Sequence, residues 1–181
     1  MKAAILYSGN YGSTCQYAEW LGEATGLPVF DVRKDPPEPW NYDILILGSS
    51  VRVGKPTISK WVKKNWTQLN GRPLLLFSVS GTAPEDPDLL LWMKRGLGEE
   101  IFSQMEYVPL RGRMVVSELP WWSRILLKGL ARAIKDPEES KRMTEGFDFM
   151  DRESLEPIVC WFEKQTRPEQ ARKRVRVPEM A

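Results

Sequence analysis

Lys2-Ala3-Ala4-Ile5-Leu6-Tyr7 followed by Ser8-Gly9-Asn10-Tyr11-Gly12-Ser13-Thr14 is the stretch that decides the fold. The first six residues form an apolar run with little alternation, as expected of a strand covered on both faces. The run is too short for the apolar region of a signal peptide. A Gly/Ser-rich turn follows. Tyr17, Ala18, Leu21 and Ala24 then recur at helical spacing over Thr14–Thr25, and Gly26 supplies a stop. Strand, glycine loop and helix make the first half of a βαβ unit.

The same alternation continues outward. Pro28–Val32, Asp43–Gly48, Pro73–Val79 and Glu106–Val116 read as further strands, the last with a proline inside. Helical spacing covers Thr57–Leu69, Asp88–Met105 (interrupted by Gly96 and Gly98), Trp122–Ile134 and Asp151–Lys164, where Asp151 is a candidate N-cap. Five strands alternating with helices predict a doubly wound α/β fold with right-handed crossovers and helices on both faces of the sheet. One domain is expected over residues 1–166, and residues 167–181 read as a basic, mobile tail.

Composition narrows the chemistry. The 181 residues contain no histidine, which removes His-based triads and most zinc or iron sites; no metal site is expected. Two cysteines, Cys15 and Cys160, are too few for a disulfide scaffold and fit a reducing cytoplasm. The net charge of +2 belongs to the tail. Arg167, Arg172, Lys173, Arg174 and Arg176 against Glu169 and Glu179 give a net +3 and leave the body near −1. The body makes no case for nucleic acid.

In such a sheet, ligands bind beyond the carboxyl ends of the strands, at the switch point between the first and third. Three loops are expected to meet there. In the first, Gly9 and Gly12 allow a tight turn and bring amides close to an anion. Ser13 and Thr14 add hydroxyls, and the helix amino terminus adds positive potential. With no Lys or Arg, this loop suits a phosphate monoester on a resident cofactor and suits a transferred γ-phosphoryl poorly. A ligand-free βα turn would have the same composition. The second loop, Ser49-Ser50-Val51-Arg52-Val53-Gly54-Lys55-Pro56, offers hydroxyls and amides to the polar edge of a flat ring, with Arg52 able to pair with negative charge on it. A polar turn before a helix reads equally well. The third loop, Ser80-Gly81-Thr82-Ala83-Pro84-Glu85-Asp86-Pro87, allows close approach at Gly81 to the other side of the same ring. A dinucleotide is disfavoured: G-x-G-x-x-G spacing is missing, and Asp31, the one acidic candidate for a ribose, reads as a surface residue.

Over roughly residues 1–165 the chain resembles the flavodoxin superfamily, and within it the flavodoxin-domain branch that includes menaquinone-dependent protoporphyrinogen dehydrogenase. The resemblance is carried by Tyr11-Gly12-Ser13-Thr14 and by Tyr42-Asp43 running into Gly48-Ser49-Ser50-Val51-Arg52-Val53-Gly54-Lys55. Leu110-Arg111-Gly112, Trp121-Trp122-Ser123-Arg124, Thr144-Glu145 and Asp151 follow the same branch. It implies a five-stranded parallel sheet of order 2-1-3-4-5, with an insertion before the last helix. It also implies FMN, its phosphate on Gly9, Asn10, Tyr11, Gly12, Ser13 and Thr14, and its isoalloxazine between Ser49–Gly54 and Ser80, Gly81 and Thr82. The family usually carries Ser or Thr where this chain has Gly9. Carrier flavodoxins sandwich the ring between aromatics and are strongly acidic, whereas here the second and third loops lack aromatics and the body is near neutral.

Trp121–Lys135, WWSRILLKGLARAIK, places Arg124, Lys128, Arg132 and Lys135 on one helical side and Trp122, Leu126, Leu130 and Ile134 on the other. Such a helix can lie in a membrane interface at the inner face, where it would meet a quinone. It can also pack on the sheet with its basic side solvated. The resemblance implies an FMN oxidoreductase that takes electrons from a porphyrinogen and passes them to a quinone. The alternative is a non-enzymatic electron carrier docking with redox partners. No protein acid or base is assigned.

Overall fold

The computed structural model describes residues 1–9, 12–34, 36–118, 121, 125, 129 and 144–175, except for the side chains of 118 and 167–175. Five strands pair in parallel in one sheet: β1 (Ala3–Ser8), β2 (Val29–Asp31), β3 (Ile44–Arg52), β5 (Leu74–Ser80) and β6 (Glu106–Arg111), in the order β2-β1-β3-β5-β6. Counting these five alone, the order is the expected 2-1-3-4-5. A short β4 (Lys55–Pro56) pairs antiparallel with the end of β3.

Side chains alternate across this sheet and build a core on each face. Leu6, Leu45, Leu47, Leu74 and Leu76 point to one face. There they meet Val62 of α2 (Ser59–Leu69), Met93 and Leu97 of α3 (Pro87–Leu97) and Phe102 of α4 (Glu99–Phe102). Ile5, Ile46, Leu75, Phe77 and Val79 point to the other. Tyr17, Ala18 and Leu21 of α1 (Ser13–Thr25) cover them with Ile158 of α5 (Glu156–Val175). Each buried Leu, Ile or Phe contributes about 1.5–3 kcal/mol of transfer free energy, so the apolar runs, covered on both sides, hold the sheet. Tyr17 adds a polar tie. Its Oη donates to the Arg111 carbonyl at 2.8 Å and accepts from the Asp151 amide at 3.0 Å, joining α1 to β6 and to the segment ahead of α5.

Four expected boundaries shift for identifiable reasons. The third strand runs on through Arg52 because Arg52 and Val51 pair with Lys55 and Pro56 in a hairpin. The expected Asp88–Met105 helix breaks at Gly98, whose φ is +97°. Glu106–Val116 divides at Gly112, after which β7 (Arg113–Met114) pairs antiparallel with β8 (Phe147–Asp148) in a separate two-stranded sheet. Asp151 accepts from the Glu153 amide at 3.0 Å just ahead of a 3₁₀ turn over Glu153–Leu155, and the last α-helix begins only at Glu156. The expected Trp122–Ile134 helix lies mostly outside the described residues. Within it Ile125 and Gly129, like the neighbouring Trp121, have helical backbone. Among the described residues no helix is long and apolar enough to cross a membrane.

Candidate functional site

The parallel register brings the three loop bases to one edge. Ser8 pairs with Ser49, Ser50 with Val79, and Ser80 with Arg111. The first two loops are tied by Thr57. Its Oγ1 donates to the Ser8 carbonyl at 2.6 Å and lies 3.2 Å from Ser50 Oγ, while its amide donates to the Ser50 carbonyl at 2.9 Å.

In the first loop, Gly12 sits at φ +84°, a left-handed conformation that favours glycine, immediately before α1. A Cβ on Gly9 would lie 2.7 Å from Thr14 Cβ, so a small residue there lets loop and helix close up. Ser13 and Thr14 are both buried. The Ser13 hydroxyl is committed: it accepts from the Arg113 amide at 3.1 Å and donates to the Arg113 carbonyl at 3.3 Å. Ser13 thus anchors β7 with its side chain. Asn10 and Tyr11 lie outside the described residues.

The second loop is a tight hairpin. Val53 (φ 49°) and Gly54 (φ 66°) form its two-residue turn, and both positive φ values match the primed turns that hairpins prefer. Val53 is 93 % exposed and β-branched, an unfavourable residue for this conformation. A Cβ on Gly54 would lie 3.2 Å from the Trp92 ring, so an aromatic flanks this loop although none lies in it. Ser49 is fully buried and works internally: its Oγ donates to the Ser50 carbonyl at 3.0 Å and accepts from the Ile58 amide at 3.3 Å. Arg52 is exposed on the hairpin flank, opposite Lys55.

In the third loop, the Thr82 amide donates to Ser80 Oγ at 3.2 Å. A Cβ on Gly81 would lie 2.5 Å from Phe147 Cζ, so the glycine admits an aromatic ring carried by β8. Phe147 in turn stacks on Phe149 with centroids 5.0 Å apart.

Beside the first loop, Tyr7 Oη and Cys15 Sγ lie 3.0 Å apart. Burial, then the contact with Cys15, holds the Tyr7 phenol well above its usual range; burial also raises the Cys15 thiol. Asp31 is not the expected surface residue. Its side chain is 6 % exposed and takes three bonds from Arg33, from the guanidinium at 2.9 and 2.7 Å and from the amide at 3.0 Å, so no free carboxylate faces a ribose.

A family model described as a flavodoxin domain matches residues 4–141. The chain belongs to the flavodoxin-domain family. A curated relative, protoporphyrinogen IX dehydrogenase [quinone] of Escherichia coli strain K12, is 26 % identical over 143 residues, covering 71 % of this chain and 77 % of the relative. Among solved structures, a flavodoxin from the domain Archaea is 21 % identical with a TM-score of 0.46, covering 61 % of this chain and 83 % of its own. A flavoprotein in complex with FMN from Lactobacillus acidophilus NCFM is 14 % identical with a TM-score of 0.45, covering 61 % and 91 %.

FMN is the cofactor this flavodoxin domain implies, and the residues present fit it. A left-handed glycine opens a helix amino terminus, as a phosphate cradle requires. The hairpin of the second loop and Gly81 of the third rise from neighbouring strands. The residues that the sequence reading missed, Thr57, Arg113, Phe147 and Trp92, reach this edge from elsewhere in the chain. Only Thr57, just past Pro56, carried a local signal, and it read as a helix start.

Proposed function

We propose that this chain binds FMN at the carboxyl edge of its sheet and works as an oxidoreductase, taking electrons from a porphyrinogen-class donor and passing them to a quinone. The observation that carries the reading is the meeting of three loop bases at one edge, with left-handed Gly12 at the start of α1. The similarity to the E. coli dehydrogenase supports the choice of donor and acceptor class.

When bound, FMN supplies the electron transfer between organic donor and acceptor. The chain's own residues bind and orient. In this reading Gly9, Asn10, Tyr11, Gly12, Ser13 and Thr14 hold the phosphate through amides and the helix terminus. Ser49, Ser50, Val51, Arg52, Val53 and Gly54 line one side of the ring, and Ser80, Gly81 and Thr82 the other. Thr57 fixes the spacing of the first two loops. Arg52 supplies a positive charge on the hairpin flank. No proton-transfer residue is assigned, and the half-buried Cys15 thiol and buried Tyr7 phenol, both shifted towards their neutral forms, suit none.

We assign contact with a quinone-bearing membrane to the segment Trp121–Lys135, of which Trp121, Ile125 and Gly129 are among the described residues. Trp121 is 72 % exposed and Ile125 63 %, which leaves both apolar side chains available. Sedimentation with anionic vesicles that weakens with salt is expected. Failure to sediment overturns this assignment.

The test of function is an anaerobic assay of FMN-loaded protein with protoporphyrinogen IX and a menaquinone analogue. Porphyrin formation coupled to quinone reduction is expected. Electron exchange with a flavodoxin reductase, without porphyrinogen oxidation, would favour the carrier instead.

A further inference from the structure

The first loop contains no Lys or Arg, yet a cation approaches its Gly12. A Cβ built on Gly12 would lie 3.9 Å from Arg113 Nη2. Arg113 belongs to β7, outside the parallel sheet, and is held beside the start of α1 by Ser13. That hydroxyl holds both backbone groups of Arg113, the amide at 3.1 Å and the carbonyl at 3.3 Å, across 100 residues of sequence. The guanidinium itself is unspent: its Nε is buried without a hydrogen-bond partner, and no ion pair engages it among the described residues. A buried guanidinium N–H without an acceptor is unfavourable. The neighbouring Arg111 also has a buried Nε without a hydrogen-bond partner, but its guanidinium stacks on the Phe149 ring at 3.5 Å.

We propose that Arg113 is a phosphate-binding residue that makes the site select the phosphorylated flavin over riboflavin. The inference rests on the FMN reading above. A flavin phosphate carries close to two negative charges at neutral pH and offers several acceptor oxygens; a guanidinium fork matches such a group in charge and geometry. Neutral amides from the loop and one cation from the β7–β8 pair then share the phosphate. The β7–β8 pair, outside the parallel sheet, thereby becomes part of the cofactor site, with Arg113 at the first loop and Phe147 at the third.

The test is the ratio of FMN to riboflavin affinity, read by quenching of flavin fluorescence in titrations of wild type, Arg113→Gln, Arg113→Lys and Arg95→Gln. Ser13 grips only the main chain of residue 113, so the substitutions keep the anchor of β7; circular dichroism and urea midpoints check this. Arg113→Gln is expected to weaken FMN about ten- to a hundred-fold and riboflavin by less than about two-fold. Arg113→Lys should give an intermediate ratio. Arg95, exposed on α3, controls for net charge and should leave the ratio unchanged. If Arg113→Gln weakens both flavins equally or neither, or if Arg95→Gln lowers the ratio as much, the assignment of Arg113 is overturned while FMN binding stands. A wild-type protein that binds neither flavin overturns the cofactor reading itself.

Discussion

Thr57 Oγ1 donates a 2.6 Å hydrogen bond to the carbonyl of Ser8, closing the first loop onto the second across 49 residues of sequence. Thr57→Val keeps the shape and removes this donor. The change is expected to lower unfolding free energy by about 1–2 kcal/mol, and to weaken FMN several-fold by loosening the spacing between phosphate and ring loops. Urea denaturation and flavin titration measure the two effects separately. A variant with wild-type values for both would show that Thr57 does not set the site.

Gly12 stands at φ +84°. A β-branched residue is poorly tolerated there, so Gly12→Val should cost about 1–3 kcal/mol of stability. It should also abolish bound flavin colour while the far-ultraviolet dichroism remains that of an α/β domain. Retention of full colour would place the phosphate elsewhere.

Arg52 is exposed on the flank of the hairpin, at the position opposite Lys55. A cation near the ring favours the negative reduced flavin. Because Arg52 is exposed, its effect should be near the lower end for a charged interaction. Arg52→Ala should lower the two-electron potential by about 20 mV, equivalent to about 1 kcal/mol, with FMN affinity little changed. Spectroelectrochemistry giving an unchanged potential would separate Arg52 from the ring.

The Asp31 carboxyl is held below its usual range, chiefly by hydrogen bonds from the Arg33 guanidinium, with burial acting in opposition. A carboxyl with a depressed folded value stabilises the protein above its unfolded pKa, about 3.9, and this contribution is lost as pH falls through the folded value. Arg33 is 45 % exposed, so the contribution is below about 1 kcal/mol after screening. Wild type should therefore exceed Asp31→Asn slightly in stability at neutral pH, with the gap closing at acid pH. Urea midpoints across that range check the sign, and a gap widening towards acid would contradict it.

The sheet was legible because its strands are buried on both faces. Ile5-Leu6, Leu45-Ile46-Leu47 and Leu74 to Phe77 are continuous apolar runs, and the central sheet buries them on both faces. The phosphate-type loop was legible through Gly12 and its position before a helix. The hairpin was not: Ser49 to Arg52 are mostly polar, and the turn at Val53-Gly54 puts a valine where Asn or Asp is the usual signal. Arg113 was taken into a long final strand, because nothing nearby in the sequence announces Ser13's grip on its backbone. Phe147 was missed for the same reason. Its contact with Gly81 exists only once the β7–β8 pair has formed, so the third loop read as lacking an aromatic neighbour.

The most direct test of the central claim is a fluorescence titration of purified, flavin-free protein with FMN, FAD and riboflavin. FMN should saturate at about one per chain and bind more tightly than either of the others. A protein that leaves FMN fluorescence unchanged, or that takes FAD more tightly, would contradict the claim.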